Sequence, residues 1–289
     1  MGHRTGGYAM DWRGRRTSRN VEDRRGMRMT GGRGLGIGAT VAILLIGAFL
    51  GVDVTPFLNG TGSVTTAPAP TGPNRIDDDQ EAFVATILAE TEQAWGEIFT
   101  ASRLEYREPS LVLFSGGTTS ACGMADAAMG PFYCPGDRKV YLDMDFFRVM
   151  EQQLQAGGDF ANAYVIAHEI GHHVQNELGT LGEVNTRRQR VGQAESNALS
   201  VRIELQADCY AGVWAHAASG RLRVTDDDIR QALATAARIG DDALQRAAGG
   251  RVVPDSFTHG TSDQRQRWFF QGYRSGDPNQ CDTFGAGRL

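Results

Sequence analysis

Histidine and cysteine are scarce in this chain of 289 residues. It contains six histidines and four cysteines. None of the cysteine spacings matches a zinc ribbon, so a purely thiolate zinc site of that kind is excluded. The chain has no internal repeat, which excludes a solenoid or a propeller. At 41% hydrophobic residues it can still build a core, and its length predicts one globular domain of about two hundred residues plus extensions.

The chain contains one long uncharged apolar run, GLGIGATVAILLIGAFLGV at residues 34–52. As a helix, this run would span close to the hydrocarbon thickness of a bilayer, and it predicts a single transmembrane helix. A cleaved signal peptide is the alternative, but its basic region and its apolar core would both be unusually long. Residues 1–33 carry nine arginines and a net charge of +6, so the positive-inside rule places the amino terminus in the cytoplasm. We therefore expect a single-pass cell-membrane protein with its main domain outside the cytoplasm.

These features divide the chain into four parts. Residues 1–33 are predicted to form a basic cytoplasmic arm that rests on anionic lipids; such an arm could bind nucleic acid instead, but no nucleic acid is expected here. Residues 34–52 are the predicted anchor. Residues 53–76 are rich in Thr, Ala, Pro and Gly and predict a flexible linker. Residues 77–289 remain for the folded domain.

Hydrophobic periodicity in residues 77–289 predicts an α+β domain that is mostly helical, with a small β-sheet. Short strands are expected at 110–114 and 139–142, separated by a long Gly-rich loop of the kind that often carries function. The final helix is expected to begin at the N-cap candidate Ser262. The other predicted helices cover residues 77–100, 145–155, 160–178, 194–218, 226–239 and 241–248.

The strongest motif is AHEIGHHVQ, within the helix predicted at 160–178. Positions four apart lie on one face of a helix, so His168 and His172 can direct imidazole nitrogens at one metal ion. Glu169 lies beside them, where a carboxylate can take a proton from a zinc-bound water. With so few histidines, chance would give this H-E-x-x-H pattern on the order of once in a hundred such chains. The motif predicts one Zn²⁺ per chain, with Glu169 as the catalytic general base.

A catalytic zinc ion usually has three protein ligands, so a third must come from elsewhere in the chain. Glu204 and Asp208 lie one turn apart on a mostly apolar predicted helix, where a carboxylate without a partner would be costly. We predict that Glu204 is the third ligand and that Asp208 accepts a hydrogen bond from the outer nitrogen of a ligand histidine. His216 and His259 are the alternatives, whereas His173 points away from the metal-binding face.

The four cysteines are expected to form two disulfides, because their number is even and the predicted compartment is oxidising. Of the three pairings that four cysteines allow, we favour Cys122 with Cys134, which closes the Gly-rich loop. Cys209 then pairs with Cys281 and ties the carboxy-terminal tail to the helix at 194–218. The alternative is that Cys209 is a buried free thiol.

Several segments together resemble one known family, the neutral zinc metallopeptidases of bacteria often called YpfJ-like, within the broader gluzincin pattern. These segments are MDWRGRRTSRNVEDRRG, GPFYCPGDRKVYLD, AHEIGHHVQ, ELQADCYAGVWA and FTHGTSDQRQRWF, and they span nearly the whole chain. The resemblance implies a membrane-anchored zinc protease with a zincin-like domain. It specifies the metal site better than the substrate.

The combined prediction is a membrane-anchored zinc metallopeptidase that acts on a peptide or protein substrate. Zinc would lower the pKa of its water toward 7, and Glu169 would take the proton and pass it to the leaving amine. His259 is the candidate for stabilising the tetrahedral oxyanion, with Arg265 as an alternative. The segment 127–134 and the strand after it could supply an edge for an extended peptide.

Two other functions are compatible with the same motif. One is a membrane-tethered binding or assembly factor that keeps zinc for stability and cleaves nothing. The other is a zinc hydrolase that acts on another amide, such as one in cell-wall peptide. The first predicts that Glu169 is dispensable.

Overall fold

The computed structural model describes residues 10–26, 76, 78–126, 130–154, 157–247, 249 and 252–289. This part of the chain is mostly helical with one small sheet, as predicted, and it also contains a separate hairpin that was not predicted. The helices are α1 (Asp79–Ala101), α2 (Asp145–Leu154), α3 (Asp159–Glu177), α4 (Thr180–Arg188), α5 (Gln193–Leu222), α6 (Asp226–Arg238), α7 (Asp241–Ala247) and α8 (Ser262–Ser275). The strands are β1 (Val21–Asp23), β2 (Ser110–Phe114), β3 (Gly117–Ser120), β4 (Gly123–Asp126), β5 (Phe132–Cys134) and β6 (Lys139–Asp143).

The four-stranded sheet has the order β1-β2-β6-β5, in which β5 is antiparallel to β6 and the other pairs are parallel. Successive side chains of a strand point to opposite faces, so the sheet contributes to two cores. On one face, Leu111 and Val140 belong to the main core, which also contains the apolar side of α3. On the other face, Val112 and Tyr141 form a smaller core with Ala125 of the β3–β4 hairpin.

The segment predicted as one long loop contains the β3–β4 hairpin and β5. The Cys122–Cys134 disulfide joins the hairpin to β5, and the Cys209–Cys281 disulfide joins α5 to the carboxy-terminal tail. Both predicted pairings are present, and Cys209 is not a free thiol. The sequence does not predict these short strands, because strand propensity depends on packing against neighbours more than on the residues themselves.

The described part of the amino-terminal arm, residues 10–26, belongs to the folded domain. Met10 and Trp12 are buried in the main core, and Val21 of β1 pairs with Leu111 of β2. The indole of Trp12 donates a hydrogen bond of 2.7 Å to Asp159 at the start of α3. The prediction of a separate basic cytoplasmic arm is therefore wrong for these residues.

Arginines of this segment form ion pairs and hydrogen bonds with other parts of the fold. Arg25 forms ion pairs with Asp23 at 2.7 Å and with Asp78, the N-cap of α1, at 2.6 Å. Arg16 donates to the carbonyl oxygen of Ala89 on α1 at 2.7 Å. These arginines bind polar groups of the domain, which is the physical reason why their charge does not mark an arm resting on lipids.

The predicted transmembrane helix at 34–52 lies outside the described residues, as does the linker at 53–76 except for Ile76. Among the residues that are described, no helix is both long and apolar enough to cross a membrane. One membrane crossing would also put residues 10–26 and the domain on opposite sides, whereas β1 and β2 pair in one sheet. The predicted single-pass membrane localisation is therefore wrong, and a transmembrane helix before the domain is not supported.

Replacing Trp12 tests whether the amino-terminal segment stabilises the domain. Trp12→Ala removes a ring that is 5% exposed and its hydrogen bond to a carboxylate. We expect the free energy of unfolding to fall by about 3–5 kcal/mol, as for other buried aromatic residues. Trp12→Phe loses mainly the hydrogen bond and should cost about 1–3 kcal/mol. Urea unfolding gives both values, with the exposed Arg19→Ala as a control; an unchanged stability of Trp12→Ala would contradict the packing.

Candidate metal centre

Two crossing helices, α3 and α5, build the centre. On α3, His168 and His172 lie one turn apart on the same face, with ring centroids 4.8 Å apart. Between them, Gly171 faces α5 so closely that a Cβ atom would lie 2.9 Å from the carbonyl oxygen of Ala207. A larger residue would push the helices apart. The close crossing brings Glu204 of α5 to the two histidines.

The three predicted ligands are close enough to bind one ion. His168 Nε2 lies 3.1 Å from Glu204 Oε2, and His172 Nε2 lies 3.5 Å from Glu204 Oε1. One atom from each residue lies within 4.8 Å of the others. A tetrahedral zinc ion with bonds of about 2.0–2.2 Å holds neighbouring ligand atoms about 3.4 Å apart, and imidazole nitrogens and carboxylate oxygens are ligands that zinc prefers. The three side chains therefore fit a zinc ion.

The electrostatics of the centre also favour a cation. Burial lowers the pKa of His168, but the charge of Asp208 and hydrogen bonds to Asp208 and Glu204 outweigh it and raise the pKa to about 10. Burial raises the pKa of Glu204, yet His172 and His168 outweigh this effect and hold it well below its ordinary value. Protons on the imidazoles thus balance the carboxylates, and a divalent cation can supply the same positive charge in their place.

Asp208 contacts the other nitrogen of His168. Its Oδ1 lies 2.8 Å from His168 Nδ1, which leaves Nε2 facing Glu204. Asp208 is fully buried, and Arg265 of α8 donates to its two oxygens at 2.8 and 2.9 Å. Tyr164 of α3 donates its hydroxyl proton to Oδ1 at 2.5 Å. Burial raises the pKa of Asp208, but the charges of Arg265 and His168 outweigh it, so the carboxylate stays ionised.

Arg265 reaches Asp208 because α8 packs directly on α5. At Gly272 of α8, a Cβ atom would overlap the carbonyl oxygen of Cys209, so only glycine allows this contact between the two backbones. The Arg265 guanidinium also lies 3.3 Å from the hydroxyl of Tyr164. Arg265 was the alternative oxyanion candidate, but its buried guanidinium binds Asp208 instead.

Glu169 lies at the same turn of α3 and is 7% exposed. Burial raises its pKa; the charges of His172 and His168 lower it and that of Glu204 raises it, and the net result is a raised pKa. A carboxylate with a raised pKa accepts a proton at a pH closer to neutrality, which suits a general base.

The partner of His172 is a residue that the sequence does not single out. His172 Nδ1 lies 2.9 Å from Oε1 of Gln175, which is fully buried on the same helix. The (i, i+3) spacing is the signal that could have identified it. Tyr164 is missed as well, because helical periodicity assigns it to the apolar side of α3.

His259 lies close enough to the centre for its charge to lower the pKa of Glu204. Its Nδ1 is 3.1 Å from Asp241 Oδ1, and its side chain is 48% exposed. Desolvation alone would lower the pKa of His259, but the hydrogen bond to Asp241 and the charges of Glu204 and Asp241 outweigh it and raise the pKa. Asp241 is a partner that the sequence does not predict.

His173, which was excluded from the site, and the alternative ligand His216 both lie elsewhere. His173 is buried in the main core, 3.1 Å from the hydroxyl of Tyr133, and burial lowers its pKa to about 4. His216 Nδ1 donates to the carbonyl oxygen of Tyr273 at 2.8 Å. The exclusion of His173 from the metal-binding face is thus confirmed, and His216 is not part of the three-residue cluster.

The chain is similar to proteins of several bacteria over most of its length. "Uncharacterized protein YpfJ" of Escherichia coli (strain K12) is 47% identical over 288 residues, which cover 96% of this chain and 99% of that one. "Uncharacterized protein Rv2575" of Mycobacterium tuberculosis (strain ATCC 25618 / H37Rv) is 45% identical over 226 residues, which cover 74% and 75% of the two chains. No solved structure matches the chain.

A family model also matches most of the chain, including the amino-terminal segment. It matches residues 10–284, from the start of the described residues to the tail beyond the second disulfide. The chain therefore belongs to the family described as "Putative neutral zinc metallopeptidase".

Proposed function

We propose that this protein is a zinc-dependent peptidase that hydrolyses peptide bonds in a peptide or protein substrate. His168, His172 and Glu204 would hold one zinc ion, and Glu169 would act as the general base. The observation that carries the proposal is the cluster of three ligand atoms within 4.8 Å of one another. Membership of the family supports the same reaction.

The number of ligands favours a catalytic rather than a structural site. Among the described residues, the cluster contains no fourth His, Cys, Asp or Glu, so a tetrahedral ion would keep one position open. When bound, zinc supplies a Lewis acid that polarises a carbonyl oxygen and lowers the pKa of a water ligand toward 7.

Glu169 would move the proton. Its carboxylate would accept a proton from the attacking water and deliver it to the nitrogen of the leaving amine. The raised pKa of Glu169 supports both roles, because it makes the carboxylate a better proton acceptor than an exposed glutamate.

His259 would stabilise the negative charge that develops on the carbonyl oxygen of the substrate. Asp241 supports this role by holding the imidazole and the loop that carries it. Asp241 Oδ2 accepts hydrogen bonds from the backbone amides of Thr258 at 2.8 Å, His259 at 2.6 Å and Gly260 at 3.0 Å. The raised pKa of His259 favours the charged imidazolium that an oxyanion requires.

β5 would supply the edge along which an extended substrate lies. It is one of the two terminal strands of the sheet, and its Tyr133 packs edge-on against His173 of α3, with ring centroids 5.4 Å apart. A substrate paired with β5 would therefore run beside the helix that carries the H-E-x-x-H motif. Residues 127–129 of the predicted edge segment lie outside the described residues.

A mixed peptide library offered to the purified protein tests the proposal. We expect internal peptide bonds to be cut, with products identified by mass spectrometry. Cleavage should stop when zinc is chelated and return when zinc is added. A protein that holds zinc but cleaves nothing would instead be a binding or assembly factor, and cleavage confined to cell-wall peptide amides would indicate a different substrate class.

Asp208→Asn tests the support of His168. The variant keeps the shape of the side chain but removes the charge that faces His168 and Arg265. We expect zinc affinity to fall about 10- to 100-fold, as for other partners of metal-binding histidines. Competition with a chromophoric chelator measures the affinity. Asp227→Asn, at a side chain that is 72% exposed on α6, is the matched control; equal affinities of the two variants would contradict the role.

A further inference from the structure

Buried hydrogen bonds connect His172 to the carboxy-terminal tail through three residues, Gln175, Gln206 and Cys281, here called the amide relay. His172 Nδ1 lies 2.9 Å from Gln175 Oε1, and Gln175 Nε2 donates to Gln206 Oε1 at 3.1 Å. Gln206 Nε2 then donates to the carbonyl oxygen of Cys281 at 3.0 Å. The exposed fractions are 0% for Gln175, 7% for Gln206 and 1% for Cys281.

Backbone carbonyls fix the direction of every hydrogen bond in the relay. A carbonyl oxygen can only accept, so Gln206 must turn its NH₂ group to Cys281 and its oxygen to Gln175. Gln175 must likewise turn its NH₂ group to the carbonyl oxygen of Ile203, 2.7 Å away, and its oxygen to His172. His172 therefore carries a proton on Nδ1, which directs Nε2 to the metal-binding cluster.

We propose that Gln175 is a positioning residue for His172, and that Gln206 and the Cys209–Cys281 disulfide hold Gln175 in the required orientation. This inference rests on the proposed function, in which His172 is a zinc ligand. Its consequence is that zinc affinity depends on the carboxy-terminal tail, although the tail contributes no ligand.

The tail is fastened to one face of α5 at three points. Thr283 Oγ1 donates to the carbonyl oxygen of Arg202 at 2.7 Å, Gln206 binds the carbonyl oxygen of Cys281, and Cys209 forms the disulfide. Positions 202, 206 and 209 recur at helical spacing, so these attachments lie along one line. The covalent attachment lies within one turn of Gln206 and keeps its acceptor in place.

The two motif histidines are held by chemically different partners. His168 faces the carboxylate of Asp208, whereas His172 faces a neutral amide. A neutral partner orients the ring without adding charge to a centre that already contains Glu204. Gln175 also binds the carbonyl of Ile203, the residue before Glu204, so it connects the two helices that carry the proposed ligands.

Zinc affinities of single and double variants test the relay, measured by chelator competition on the full chain. Gln175→Met should weaken binding about 10- to 100-fold. Gln206→Met should weaken it less, because Gln175 keeps its bond to Ile203. The double variant should be no weaker than Gln175→Met alone, since the second change acts only through the first. Gln245→Met is the matched control, because Gln245 is also 7% exposed but binds Ser256.

The two disulfides provide a second matched comparison. Replacing Cys209 and Cys281 by serine should weaken zinc binding about as much as Gln206→Met, whereas replacing Cys122 and Cys134 should leave it unchanged. Thermal unfolding verifies that each variant is folded. If the Cys209 and Cys281 variant does not fold, the zinc affinity of Gln206→Met shows whether zinc binding depends on the tail.

Nuclear magnetic resonance of protein labelled with ¹⁵N-histidine gives a readout that needs no zinc. In the zinc-free wild type, the Nδ1–H of His172 should exchange slowly with solvent, and Gln175→Met should remove this protection. Unchanged protection, unchanged zinc affinity in Gln175→Met, or additive losses in the double variant would each overturn the relay. A wild type that binds no zinc but keeps the protected proton would refute the proposed function and leave the relay intact.

Discussion

Glu169→Gln is expected to retain one zinc ion per chain and to lose peptide hydrolysis by at least about 100-fold, the lower range for a general base. The amide has nearly the shape of the carboxylate, and the proposed ligands are other residues, so the metal should stay. An amide cannot accept the proton of the attacking water. Turnover of a library-derived peptide and elemental analysis of the same sample measure the two properties together.

The matched control for this prediction is Glu183→Gln, at an exposed glutamate of α4. It makes the same chemical change away from the centre and should keep full activity. Undiminished hydrolysis in Glu169→Gln would remove the proposed mechanism. Loss of zinc from Glu169→Gln would mean that this carboxylate binds the metal.

Removal of any one proposed ligand is expected to deplete the protein of zinc. His168→Ala, His172→Ala and Glu204→Ala each delete one of three bonds, and the remaining two residues cannot close the coordination shell. Glu204→Ala also removes the negative charge that balances the two imidazoles. After dialysis against a weak chelator, elemental analysis should find well under one zinc ion per chain in all three variants, and none should hydrolyse peptides.

His216→Ala is the control for the ligand variants, because His216 contacts the backbone of Tyr273 rather than the cluster. It should retain zinc. Full zinc content in Glu204→Ala would exclude Glu204 as the third ligand and would direct attention to another carboxylate. Zinc loss in His216→Ala alone would contradict the proposed ligand set.

Helix boundaries were predictable where the signal is local. The prediction of 226–239 differs from α6 by one residue, and the predicted start at residue 241 is that of α7, since caps and breakers lie next to the helices they delimit. The start of α8 shows the limit of such signals. Thr261 caps this helix, while the hydroxyl of the predicted cap, Ser262, donates to the carbonyl oxygen of Ala237 at 2.7 Å. Adjacent hydroxyl residues look alike in sequence, and a distant contact decides between them.

In the candidate site, too, the local groupings are visible in the sequence and the distant contacts are not. The grouping of His168 with His172 is visible in sequence because the spacing lies within one helix, as is the pair Glu204 and Asp208. The contact of Arg265 with Asp208 is not visible, because it depends on how α8 packs against α5. Helix crossings are set by the fit of whole surfaces, which no single spacing encodes.

The composition of the amino-terminal segment does not indicate its environment in the fold. Its arginines suggest a solvated or lipid-facing arm, yet Arg16 and Arg25 bind groups on α1 or at its N-cap. The strand β1 has only three residues, two of them acidic, and carries no hydrophobic alternation. Its place in the sheet is set by β2, a strand that lies far away in sequence.

The pairing of β1 with β2 has a consequence for the order of events during synthesis. Val21 pairs with Leu111, so 90 residues separate the two partners. At a translation rate of about 5–20 residues per second, β1 is synthesised about 5–18 s before β2. The core is therefore completed late by a segment that is synthesised before β2. This segment contains Met10, Trp12 and β1. During this interval the nascent chain exposes the indole of Trp12 and the unpaired strand β1. A chaperone that binds nascent chains would find the most exposed apolar surface then.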